Sequence, residues 1–134
     1  MSVLHINQIK NKVNELFKEK LNLSDISETD TQRDDKINTR CLAAYAIYLT
    51  VECTIEEAAN SVVDGGDDNG IDAIFYSPSN KKVIIVQSKF SKDGTGEPES
   101  SGVSKFCTGV RDLFNLTFDR FNNKINAKKH EIEL

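Results

Sequence analysis

Residues 83–86 read Val-Ile-Ile-Val, four consecutive β-branched side chains. Such side chains are stiff at χ1 and suit a pleated surface better than a helix. Alternation along a strand puts Val83 and Ile85 on one face and Ile84 and Val86 on the other. Both faces are then apolar, so the strand has to be covered from both sides, which calls for helices above and below a sheet. The surrounding "KKVIIVQSKF" predicts a strand over residues 82–90. Upstream, residues 71–76 are also β-rich, and "SPSN" at 77–80 is a turn signal, so the two segments form a hairpin. Residues 61–64, "SVVD", offer a short third strand.

Helical periodicity surrounds the hairpin. Ile6, Ile9, Val13, Leu16 and Phe17 recur at helical spacing and predict an amphipathic helix over about 5–21. "LSDISETDTQRDD" breaks that pattern as a linker, and a second helix over about 35–51 carries Ile37, Cys41, Leu42, Tyr45, Tyr48 and Leu49. Thr54 and Glu57 have the spacing of a capping box, which starts a short helix at Ile55 and ends it near Asn60. After a polar loop at 91–102, Val103, Phe106, Val110, Leu113 and Phe114 define another helix, and the tail from Phe118 is helical too. At 134 residues the chain has the length of one domain. The expectation is a single α/β domain over 1–134, with an N-terminal helix and linker over 1–34 and a core over 35–134.

Net charge is −4, but it is unevenly spread. Residues 25–72 hold twelve Asp or Glu against three Lys or Arg, and residues 73–134 hold ten basic against seven acidic. An acidic half followed by a mildly basic one is compatible with a metal site facing a polyanion. No apolar run reaches membrane-spanning length, and "MSVLHINQIK" lacks a signal-peptide layout. Three cysteines without a close pair, and two histidines at opposite ends of the chain, make a zinc site a poor fit. Buried thiols in a reducing cytoplasm are the expected state.

The richest chemistry sits in "DGGDDNGID" at 64–72. An EF-hand frame fails, because placing Gly70 at the sixth position puts Tyr76 where a bidentate Glu belongs. Ordinary turn chemistry accounts for Asp64 and Asp67. It does not account for Asp72, which enters an apolar β-rich segment where Asp is disfavoured. On the second strand Gln87 and Lys89 share one face, and an amide and an ammonium on a buried strand are costly unless used. Folding the hairpin across "SPSN" sets Asp72 near Gln87, so carboxylate, amide oxygen and ammonium converge. Mg²⁺ or Mn²⁺ takes hard oxygen ligands of this kind. Asp72 and Gln87 supply two, and the backbone carbonyl of Ser88 a third. Asp68 acts through an outer-shell water or by bracing the loop. Lys89 orients or deprotonates the attacking water, or stabilises charge on a phosphate.

"DGGDDNGIDAIFY…KKVIIVQSKF" resembles the metal-site core of the PD-(D/E)xK nuclease superfamily in the Q-x-K variant of Mrr-like restriction endonucleases. Within it, the chain is most similar to the N-terminal region of abortive-infection phage-resistance (AIPR) proteins, with "ESSGVSKFCTGVRDLF" continuing the pattern. The resemblance covers about residues 40–130. It implies a restriction-endonuclease-like core, a central mixed sheet flanked by helices. It also implies a Mg²⁺- or Mn²⁺-dependent endonuclease acting on DNA, or else RNA, in bacterial anti-phage defence. Asp72, Gln87 and Lys89 are the implied catalytic set, with Asp68 as the loop aspartate. Superfamily members often add a helix glutamate to the metal, for which Glu52, Glu56 and Glu57 are the upstream candidates and Glu52 is preferred. The family core has about four strands, so this chain is expected to be the N-terminal module of a longer protein or to pair with a second copy. The alternative is a catalytically inert nucleic-acid- or protein-binding module on the same fold.

Overall fold

The computed structural model describes residues 3–97 and 99–133. In chain order these form α1 (Val3–Phe17), α2 (Arg33–Thr50), α3 (Ile55–Asn60), β1 (Ala73–Ser77), β2 (Lys82–Val86) and α4 (Ser100–Phe114). A 3₁₀ turn (Phe118–Arg120), α5 (Asn123–Asn126) and α6 (Lys129–Glu133) follow. The capping box is present: Thr54 Oγ1 accepts the Glu57 N–H, and Glu57 accepts the Thr54 N–H, both at 3.1 Å.

β1 and β2 pair antiparallel, from Ala73 opposite Val86 to Ser77 opposite Lys82. Period two then sorts the apolar residues. Ala73 and Phe75 of β1, with Ile84 and Val86 of β2, pack with Val13 and Phe17 of α1, Ile37 and Ile47 of α2 and Ala58 of α3. Ile74 and Ile85 point the other way, to Leu113 and Phe106 of α4 and to Phe118, Phe121 and Ile125 of the tail. Helices therefore cover both faces of the hairpin, a mixed helix-and-strand arrangement compatible with an α/β class. The linker residue Ile26 lies in the same cluster as α1 and α2.

Three expectations are corrected. First, the second strand stops at Val86 rather than Phe90. Ala73 already faces Val86, and the Asp72 N–H also bonds the Val86 carbonyl at 2.8 Å. Two residues on one side thus oppose one on the other, a bulge-like step that ends regular pairing. Second, the sheet is not mixed: among the described residues all strand pairing is antiparallel, and the third segment contributes one isolated bridge, Val62 to Ala73. There the N–H groups of Val63 and Asp64 both reach the Asp72 carbonyl, at 2.8 and 3.1 Å, so this edge also lacks the regular alternation a strand needs. β1 is consequently the buried strand, whereas Val83 of β2 is 44% exposed on an open edge. Third, only Cys41 is a buried thiol, with its pKa pushed up to about 11 by burial. Cys53 is half-buried and Cys107 exposed.

The Asp/Gly loop is clasped to α4 backbone against backbone. A Cβ on Gly70, where φ is +80°, would lie 2.8 Å from the backbone carbon of Lys105 and the nitrogen of Phe106. A Cβ on Gly109 of α4 would lie 2.0 Å from the Asn69 carbonyl oxygen. Asn69 also donates to the buried Asp112 of α4 at 2.7 Å, and Arg120 pairs with the same carboxylate at 2.8 Å. Gly109→Ala gains about 1 kcal/mol of helix propensity. The clash falls on rigid backbone, so we expect a net loss of ~1–3 kcal/mol in urea unfolding. An unchanged or raised midpoint would show that the clasp does not exist.

Candidate metal centre

Asp72 is the residue immediately before β1 and is only 7% exposed. Its place is set by the bulge-like step: its N–H is held by Val86, and its Oδ2 accepts the Ser88 N–H at 2.8 Å. Ser88 is in turn tied to α2, donating its hydroxyl to the Thr39 carbonyl at 2.9 Å. The chain leaving β2 is therefore pinned between the carboxylate and a helix.

The turn before Asp72 brings two further carboxylates to it. Asp68 folds back on its own loop, accepting the N–H groups of Gly70 at 2.9 Å and Gly65 at 3.2 Å. Asp64 accepts a hydrogen bond from Arg40 Nε at 2.8 Å. Arg40, on α2, is 2% exposed and forks onto Asp25 at 2.8 and 2.6 Å, while Lys124 reaches the Asp64 carbonyl at 2.8 Å. One oxygen from each of Asp64, Asp68 and Asp72 lies within 4.8 Å of the others. Burial pushes the Asp72 carboxyl up to about 8, the neighbouring charges of Asp64 and Asp68 add to this, and the Ser88 N–H opposes it. Asp68 is raised as well, chiefly by burial. Crowded carboxylates that resist ionisation are what a divalent cation relieves. The donor set, all hard oxygen, fits Mg²⁺ or Mn²⁺.

The expected site residues divide into those brought together and those kept apart. Asp72 and Asp68 are in the cluster. Because Asp72 and Ala73 both face Val86, Gln87 is not paired opposite Asp72, and its exposed side chain turns toward α4 and donates to the Gly102 carbonyl at 3.0 Å. Ser88 meets Asp72 through its N–H. Lys89 is exposed and lines an open cleft of about 700 Å³ together with Asp64 and Thr39. Glu52 is remote. It lines a cleft with Tyr76, Ser77 and Pro78, at the turn end of the hairpin and the opposite end of β1 from Asp72. Five strand residues separate the two ends by ~16 Å, too far for Glu52 to share a cation with Asp72.

Asp64 is the residue that turn chemistry undervalued. Its partner Arg40 lies 24 positions upstream, and no local pattern announces that pairing. Asp67, by contrast, is exposed at φ +57° and does sit in the turn as expected. Comparison with protein-family models, with curated proteins and with solved structures finds no match to this chain. Motif and geometry therefore carry the functional reading by themselves.

Proposed function

We propose that this chain is a Mg²⁺-dependent nuclease hydrolysing phosphodiester bonds of DNA, on a restriction-endonuclease-like core and in the service of anti-phage defence. One observation carries the reading: three carboxylates converge beside a cleft that Lys89 and Asp64 share. Asp72 and Asp64 would hold the cation, Asp68 would complete its shell, and the Gln87 amide oxygen and Ser88 carbonyl are the further ligands the motif implies. When bound, the cation polarises a phosphate oxygen and acidifies a water.

The chain's own residues do the rest. The Ser88 N–H fixes one oxygen of Asp72, and Arg40 fixes one of Asp64, so each carboxylate presents its other oxygen without a rotamer search. Asp72 is held in a dry setting where charge interactions are strong. Lys89 brings an ammonium to the open side, where it stabilises charge developing on the phosphate and holds the attacking water. The inert-module alternative is favoured by one feature, the engagement of Gln87 with α4 instead of the cluster.

Nicking of supercoiled plasmid DNA with Mg²⁺ or Mn²⁺ tests the proposal. Lys89→Ala is expected to lower the rate by roughly 10²-fold or more, the usual cost of removing one stabilising donor. Wild-type nicking that survives unchanged in Lys89→Ala removes the mechanism. Failure to take up Mn²⁺ in calorimetry, with no nicking, selects the inert module.

A further inference from the structure

The cleft beside the carboxylates has a wall that the hydrolytic reading does not use. Lys36, Thr39, Asp64, Lys89, Phe90 and Lys92 line it. Phe90 is a large half-buried aromatic that belongs to neither apolar cluster. It lines the same cleft as Lys89, whose ammonium is proposed to meet the scissile phosphate. Two of the carboxylates around it are engaged within the protein, Asp64 with Arg40 and Asp93 with Ser91 and Thr95, while Asp35 pairs with Lys92 and gives up that pair when Lys92 takes a phosphate. Among the described residues, the exposed ammonium groups of Lys36 and Lys92 pair with the half-buried Asp30 at 2.5 Å and Asp35 at 3.3 Å. Ion pairs near the surface contribute little, so both ammonium groups are open to a phosphate partner.

We infer that this cleft binds a single-stranded segment of nucleic acid, with an unpaired base stacked on Phe90 and flanking phosphates on Lys36 and Lys92. The inference rests on the nuclease reading for the position of the scissile phosphate and adds the form of the substrate. A base inside a duplex offers its edge to the groove and keeps its face stacked on its neighbours. An aromatic ring beside a row of ammonium groups is instead complementary to an unstacked base and its backbone. In "KFSK" at 89–92 the aromatic lies between two lysines, all three of which line the cleft.

Fluorescence anisotropy in EDTA, where no cleavage occurs, tests this with a fluorescein-labelled twelve-residue oligothymidylate and a labelled twelve-base-pair duplex. The single strand is expected to bind at least about tenfold tighter. Phe90→Ala should cost roughly tenfold on the single strand and nothing on the duplex, and Phe90→Trp should restore the affinity. Lys36→Ala and Lys92→Ala should each flatten the salt dependence by about 0.7 in log–log slope, one phosphate contact apiece. Lys81→Ala with Lys82→Ala, at the turn end of the hairpin, removes two charges at the opposite end of β2 from the cleft and should leave binding intact. Tighter duplex binding, an unaffected Phe90→Ala, or an equal loss in the Lys81→Ala, Lys82→Ala double variant overturns the inference. Because no metal is present, these outcomes are independent of plasmid nicking, whose failure would strike the hydrolytic reading alone.

Discussion

In EDTA, the melting temperature of this protein should fall by roughly 10 °C between pH 5 and pH 8, and Asp72→Asn should abolish most of that fall. The folded Asp72 carboxyl titrates at about 8 against a reference value of 3.8. Between those values the folded protein binds a proton that the unfolded chain has released, so stability is fully present below pH 4 and is lost as pH rises through 8. A displacement of this size corresponds to several kcal/mol, on the order of 5, and a domain of this length loses a few degrees per kcal/mol. Asn keeps an oxygen for the Ser88 N–H but cannot ionise, which isolates the charge from the hydrogen bond. Added Mg²⁺ should restore the melting temperature at pH 8 in the wild type and not in Asp72→Asn, since a ligand of the folded state alone stabilises it. Differential scanning fluorimetry across a buffer series is sufficient. A flat wild-type profile in EDTA would mean that the three carboxylates are not crowded in solution.

Replacing Arg40 with methionine should be the most damaging single substitution for stability, at ~3–5 kcal/mol in urea unfolding. Arg40 is 2% exposed and donates to Asp25 and Asp64 together. Methionine fills most of the volume but leaves the Asp64 carboxylate half-buried and without its partner. Arg40 also holds the Asp25 carboxyl well below the usual range, chiefly through their hydrogen bonds. A lowered carboxylate contributes stability above its unfolded value, and that contribution fades as pH falls below about 4. Arg40 and Asp72 thus pull the profile in opposite directions and place maximal stability of the metal-free protein near pH 4–5. The Arg40→Met protein should show a shallower acid-side decline, and Arg40→Lys should recover little, because one ammonium cannot reproduce a fork shared by two carboxylates. A loss under 1 kcal/mol in Arg40→Met would show that α2 and the loop are held by packing alone.

The two roles proposed for the cleft also separate by what they need. On the proposed nuclease reading Lys89 would act on a phosphate at the carboxylates, so its removal should appear in the rate of nicking. Phe90 and Lys92 would act on the proposed strand around it, so their removal should appear in binding without metal. The same stretch of four residues, 89–92, is thereby assigned two measurable roles.

Local chemistry was legible in the sequence wherever the deciding contacts are near in the chain. The α3 cap is one case, since Thr54 and Glu57 are three residues apart. The hairpin is another: the alternation of residues 73–76 and 83–86 about "SPSN" sets both its register and the pairing of Asp72 with the end of β2. The unequal status of Asp72 followed from the same local fact, an acid in an apolar strand approach. Tertiary structure decided what depends on distant partners. Arg40 recruits Asp64 from 24 residues away, and α4 meets the loop through Gly70 and Gly109, at positions where a sequence shows only a missing side chain. β2 ends at Val86 because Asp72 and Ala73 crowd one partner residue, and Gln87 turns to α4 because the Gly102 carbonyl lies there to accept it. Periodicity encodes which face of an element is buried. It carries no information on which carboxylate a buried guanidinium will find, and for this protein that choice builds the site.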